Sequence, residues 1–214
     1  MPCVGNDVVD LKEPANSGKS RDSRFLKKIL TDAEIEDVKN ADNPDLALWS
    51  LWACKETAYK VIKKISSDIA FIPRRWQTVF DNAPLDDVEG NVIIPGQSTV
   101  YIRFFTNAGY VHCTGSDERS ALDKLTWDVE KLPNAKTDPS IFARQRLTDR
   151  LTKLLSLKSH QIEIQRTRKN GELSPPQVYC SGDKTDVDIS LSHDGRFVAY
   201  VVSQAEKNKM TFEA

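Results

Sequence analysis

No stretch of the chain approaches the eighteen or so consecutive apolar residues that a membrane-spanning helix needs, so that class is excluded from the start. Cysteine is sparse as well. Cys3, Cys54, Cys113 and Cys180 are scattered, with no CxxC pair and no Cys/His cluster. That argues against a zinc or disulfide framework and for reduced thiols in a cytoplasm. The opening "MPCVGNDVVDL" has no basic segment and carries Asp7, so a secretory signal is not expected. Residue-level repeats are absent too. Charged residues make up 29% and the apolar set 39% of the 214 residues, the balance of an ordinary globule rather than a disordered chain.

Net charge is almost missing, at −1, but it is segregated. Residues 12–28 carry six Lys or Arg against two acids, a local +4, and residues 136–169 carry nine against three, a local +6. Acidic blocks at 31–45 and 81–89 restore the balance. Basic patches on a near-neutral chain suit a local anionic partner better than a long polyanion, although solvated surface reads the same way.

The pattern predicts an α+β chain. Residues 3–11 read as a buried strand, and Phe25, Leu26, Ile29 and Leu30 have helical spacing. Thr31 and Glu34 form a capping box for a second short helix. A longer helix starts near Pro44 and ends before Pro73. Its residues Ala47, Leu51, Cys54, Ala58, Val61 and Ile65 make a core stripe, while Trp49, Trp52, Glu56, Lys60 and Lys63 share the opposite side. A hairpin turns at Thr106 to Gly109, and the polar passage after it reads as a connector. A helix with Phe142, Leu147, Leu151, Leu154 and Leu155 on its core side follows, then the alternating "HQIEIQRTR", a turn-rich link, and a hairpin turning near His193-Asp194-Gly195. Helix then hairpin thus occurs twice. Two similar α+β halves packed together, about 1–125 and 126–214, are expected.

Three short segments carry chemistry: "VGNDVVDL", "WACKETAYK" and "ISLSHDGRFVAYV". Asp7 and Glu56 are carboxylates of the kind that hold Mg²⁺, which takes one or two such ligands and fills its octahedron with water and phosphate oxygens. Lys60, one helical turn beyond Glu56, would put an ammonium beside those phosphates. Ser192 and His193 add a hydroxyl and an imidazole. Singly, each has a plainer explanation. Glu56 and Lys60 fit a simple i,i+4 helix pair, Asp7 a turn cap, and His193 a surface residue; His112 and His160 have no functional case.

Together and in this order, the segments resemble the 4′-phosphopantetheinyl transferase superfamily. "VGNDVVDL" is similar to its Gly-x-Asp strand and "RFLKKILTDAE" to its Arg-Phe helix start. "LWACKETAYK" looks like its Trp/Phe-x-x-Lys-Glu-x-x-x-Lys helix, and "SLSHDGRFVAYVV" like its Ser-x-Ser-His segment. Motif order follows the short, trimeric holo-acyl-carrier-protein synthases. Length and the second half look more like the longer monomeric type, which implies a pseudo-dimer with its halves in swapped order and the site in the cleft between them. The resemblance implies transfer of phosphopantetheine from coenzyme A to a carrier-protein serine, with release of adenosine 3′,5′-bisphosphate. Asp7 and Glu56 would bind Mg²⁺, and Glu56 or a water it orients would deprotonate the serine. Lys60 would stabilise the pyrophosphate. Ser192, His193, Arg144 and Arg146 would contact the adenylate side, His193 at the 3′-phosphate. Trp49 and Trp52 would wall the cleft or pack beneath the other half. An apo acyl or peptidyl carrier protein, acidic in its recognition helix, would dock on the basic 12–28 run of a monomer.

Two departures stand out. Val9 occupies the place of a second acid in the longer type, with Asp10 one residue on. The family's Gly-Lys-Pro turn is here Gly171-Glu172-Leu173, which leaves Lys169 as a substitute lysine. A non-catalytic carrier-protein or coenzyme A binding module of the same fold is the alternative, although binding alone would not require Asp7, Glu56 and Lys60. Nucleic-acid binding is disfavoured by a pI of about 6.3 and by a basic segment nearly free of aromatics.

Overall fold

A computed structural model describes residues 1–81, 88–169 and 172–204. The chain enters through β1 (Val4–Asp10), whose seven residues are buried except for the partly buried Asp7. Three helices follow, each started by a side-chain cap. Asp22 caps α1 (Ser23–Ile29), and the Thr31/Glu34 capping box starts α2 (Asp32–Asn40). Asn43, followed by Pro44 in the first turn, starts α3 (Pro44–Ile65).

β2 (Gln77–Phe80), β3 (Val88–Ile93), β4 (Val100–Thr106) and β5 (Tyr110–Ser116) complete a five-stranded sheet of order β1-β5-β4-β3-β2, antiparallel throughout. Helix α3 lies on β1 and β5, and two glycines let it come close. A Cβ on Gly5 would stand 2.3 Å from the Thr57 carbonyl oxygen, and one on Gly115 2.8 Å from the Thr57 methyl. The Gly of the Gly-x-Asp strand is therefore a packing requirement of the helix that carries Glu56 and Lys60.

The expected stripes of α3 are only partly observed. Lys55, on neither stripe, is fully buried and donates to Glu34 at 2.5 Å, to the Ile29 carbonyl at 3.1 Å and to the Pro73 carbonyl at 2.9 Å. Ile65, assigned to the core, is 46% exposed because the helix ends there.

The rest of the chain builds smaller sheets. β6 (Thr126–Lys131) joins β12 (Val187–Asp194) and β13 (Phe197–Gln204) in the order β12-β13-β6. β7 (Ile162–Gln165), β10 (Gln177–Cys180) and β11 (Asp183–Lys184) form a second trio, and β8 (Arg168–Lys169) pairs with β9 (Glu172–Leu173). Helix α4 (Pro139–Leu155), capped by Asp138, packs Phe142, Leu147 and Leu151 against them. The expected connector is not featureless: it contains a 3₁₀ segment, Arg119–Lys124, and β6, which extends the final hairpin. The turn-rich link likewise holds β9 and β10.

β1 is an edge strand of its sheet, yet its outward N–H groups are capped by side chains of β12. Asp188 accepts from Val4 at 2.6 Å, Ser190 from Asn6 at 3.2 Å and Asp194 from Asp10 at 2.8 Å. The partners stay in step along both strands, so β12 runs parallel to β1 and substitutes for a missing neighbour. Lys64 closes one end of this seam, donating to the Val4 carbonyl, the Asp188 carboxylate and the Ile189 carbonyl at 2.6, 2.7 and 2.8 Å. At the other end Arg196 grips the buried Asp10 with two guanidinium bonds of 2.7 and 2.6 Å.

Candidate active site

Where β1 meets α3, Lys60 Nζ lies 2.9 Å from Asp7 Oδ1 and donates to the Asn6 carbonyl at 2.8 Å. Glu56 stands one turn earlier on the same side of the helix, half-buried. Burial pushes its carboxyl up to about 7; the Asp7 charge adds to the rise and Lys60 opposes it. Asp7 is also raised, chiefly by burial, with Lys60 opposing and Asp194 contributing. Two half-desolvated carboxylates that both resist ionisation form a site that stabilises cationic charge placed between them.

Three cavities meet at this pair. One of about 220 Å³ runs from Asp7 and Lys60 past Arg144, Arg166, Ser192 and His193. A second, also about 220 Å³, continues from Glu56 and Lys60 past Lys63, Lys64, Arg166 and Pro175. The third, about 330 Å³, lies on the other side of the carboxylates and is walled by Phe25, Trp49 and Trp52. Trp49 is fixed there by donating Nε1–H to the Asn16 carbonyl at 3.0 Å, and Phe25 bridges the two indoles at 5.9 and 6.4 Å. Cationic cavities on one side and an aromatic one on the other make the carboxylate pair a boundary between two kinds of ligand surface.

The structure therefore brings Asp7, Glu56, Lys60, Arg144, Ser192 and His193 to one cleft. Ser192 is buried on β12 and accepts from Asn6 Nδ2 at 2.9 Å. His193, next along the strand, is exposed with Nε2 3.3 Å from Ser140 Oγ. Arg144 reaches the cleft while donating to the Ile164 carbonyl at 3.2 Å. Arg146 does not line these cavities. It pairs with Glu130 at 3.1 Å and Asp149 at 3.3 Å and lies over the Phe142 ring.

Arg166 was not singled out by the sequence, yet it lines both cationic cavities. Its guanidinium is made less basic by burial and by the neighbouring Arg144 charge. Its parity with Ile162 and Ile164 in "IEIQR" was the available signal. The substitute lysine expected in the altered turn, Lys169, has its side chain outside the described residues, as does the whole of Gly171.

Val9 is buried in the core and supplies no ligand. Asp10 does not replace it. Although burial would raise its pKa, bonds from Arg196 and from the Lys12 N–H hold it below the usual carboxylate range, so its oxygens are committed to the seam. Among the described residues no group of three or more His, Cys, Asp or Glu gathers as a metal cage. The pair Asp7 and Glu56 is what a hard cation would find. None of the described helices is long and apolar enough to cross a membrane.

Residues 3–85, from β1 through α3 and beyond, match the family model of the 4′-phosphopantetheinyl transferase superfamily. Two curated relatives, both holo-[acyl-carrier-protein] synthases of Leptospira biflexa serovar Patoc, are each 31% identical over 70 residues. Those residues are 33% of this chain and 55% of the relative, so the chain spans about half the length of the curated relatives it matches. The Asp7 strand and the Glu56–Lys60 helix lie inside the matched region, which is less than half of the chain, and it is in this region that the chain is similar to the 4′-phosphopantetheinyl transferase superfamily.

Proposed function

We propose that the protein transfers phosphopantetheine from coenzyme A to a carrier-protein serine in a Mg²⁺-dependent reaction. The observation that carries this reading is the junction itself. A carboxylate pair with one ammonium stands between a cleft lined by Lys60, Arg144, Arg166, Ser192 and His193 and an aromatic cavity. In the reaction the serine oxygen forms a bond to the β-phosphorus of coenzyme A. The bond from that phosphorus to the bridging oxygen breaks, and adenosine 3′,5′-bisphosphate leaves with the electron pair. Glu56, or a water it orients, would take the serine proton. Lys60 is placed to neutralise the bridging region, and the Arg144, Arg166 and His193 group to hold the remaining phosphate.

Asp7 and Glu56 fit Mg²⁺ rather than a cation that requires a full protein cage, because two carboxylates are the donor set present. Bound there, the ion would supply positive charge to the pyrophosphate oxygens and lower both carboxyl pKa values. The reading extends to a cytoplasmic monomer whose two halves are related as a pseudo-dimer. The carrier would dock on 12–28, where Lys12, Arg21, Arg24, Lys27 and Lys28 are exposed. Such docking is expected to weaken as salt rises.

The test is the intact mass of apo acyl carrier protein incubated with the protein, coenzyme A and Mg²⁺. A gain of about 340 Da, the phosphopantetheine mass, that vanishes with EDTA and with Glu56→Ala is expected. Absence of the gain with several unrelated carriers, while coenzyme A still binds, would turn the assignment to a non-catalytic binder.

A further inference from the structure

The seam between β1 and β12 has one irregular rung, and it lies at the cleft. Asp188, Ser190 and Asp194 each cap a backbone N–H of β1. Ser192, in the same register, instead takes the side-chain amide of Asn6 at 2.9 Å. That amide also lies 3.4 Å from Nε2 of His112, which is fully buried beside Trp127 and Phe105. Asn6, Ser192 and His112 thus form a buried polar cluster directly behind Asp7, and the assigned chemistry uses only Ser192.

The orientation of the Asn6 amide decides what Ser192 can do. With Nδ2 toward Ser192 and His112, both amide hydrogens are used, and the stranded groups are one carbonyl oxygen and the His112 Nδ1–H. Turned over, the amide would strand both of its own N–H groups. Buried orphan N–H groups are rarer and costlier than under-satisfied carbonyls, so the first orientation prevails. A hydroxyl has a single hydrogen to give. Because Asn6 already fills an acceptor position on Ser192 Oγ, that hydrogen is not drawn into the seam and can point at the cavity shared with Lys60 and Arg144. In the reversed amide, Asn6 Oδ1 would take it.

We propose that Asn6 is a positioning residue that holds the Ser192 hydroxyl as a hydrogen-bond donor toward an anion in the Lys60–Arg144 cavity. This rests on the transferase reading for the identity of the anion, but the donor geometry does not.

A binding cycle by titration calorimetry tests it, with inorganic pyrophosphate and coenzyme A as separate probes. The proteins are the full chain, Asn6→Leu, Ser192→Ala and the double variant, with urea transitions confirming that each is folded. Each single change should weaken pyrophosphate binding about tenfold, as expected for a lost bond to a charged group, and the double variant should also be about tenfold weaker. A merely structural Asn6 would lower the urea midpoint without this non-additivity. A hundredfold loss in the double variant, or unchanged affinity in Asn6→Leu, would overturn the proposal. Should Asn6→Leu not fold, Asn6→Ala completes the same cycle. Pyrophosphate binding without coenzyme A binding would remove the transferase reading and leave the cycle decisive. A protein that binds neither probe refutes the positioning role as well.

Discussion

His112 shows how much a single residue can hide. In sequence it has no partner at characteristic spacing; in the fold it sits on β5 against Phe105 and Trp127, where burial, with Lys60 adding, pushes its pKa down to about 3. Its unfolded value is near 6.5, so between those two values the unfolded chain holds a proton that the native state does not. Stability contributed by neutral His112 is therefore complete above about pH 6.5 and is lost as pH falls toward 3. The slope is about 1.4 kcal/mol per pH unit for one proton. Urea midpoints measured from pH 7 to pH 4.5 should fall less steeply in His112→Gln than in the native protein, by about one proton's worth. Parallel curves would contradict the assignment. Asp7, Glu56, Lys60 and Ser192, which the fold brings to one cleft, could be nominated from the sequence because they stand in short, ordered segments. Asn6, Arg166 and His112 were not, because their roles depend on which strand lies behind them.

At the scale of elements, the sequence predicted what local physics controls. The Thr31–Glu34 box, the Pro44 start of α3 and the turn at 106–109 all follow from side chains within four residues of one another. β2 and β6 were unread because they are edge strands interrupted by polar residues, and β3 because Gly90 and Asn91 break its apolar run. β6 is recruited by β13, and Trp127 remains 36% exposed on it. Lys55 also escaped periodicity. A lysine reads as surface, yet this one ties α3 to Glu34 and to carbonyls of the α1 and Pro73 segments. Replacing it by methionine fills the volume but leaves Glu34 buried without its cation, although the Thr31 and Thr78 N–H groups remain. A loss of about 3 to 5 kcal/mol is expected for Lys55→Met, and partial recovery when Glu34→Gln is added. Chemical denaturation of the two variants measures both. A second change that makes matters worse by its full independent amount would show that the two groups do not act as a pair.

For the whole molecule, the consequential feature is that β1 belongs to both sides of the cleft. It carries Asp7 toward α3 while its outward N–H groups are satisfied by β12, which carries Ser192 and His193. Separating the sides would expose the Val4, Asn6 and Asp10 N–H groups and strand Asp10 and Lys64, so neither side has a stable surface to fall back on. The two sides should accordingly unfold together. Tryptophan fluorescence is dominated by Trp49, Trp52 and Trp76 on the α3 side, whereas far-ultraviolet dichroism reports both sides; their urea transitions should coincide. Lys64→Met removes donors from the Val4 and Ile189 carbonyls and the cation from Asp188. It should shift both transitions together, by about 3 kcal/mol. If the fluorescence transition stayed in place while the dichroism acquired an earlier step, the cleft would be a contact between two independent units. Its geometry would then not be the rigid product of one seam.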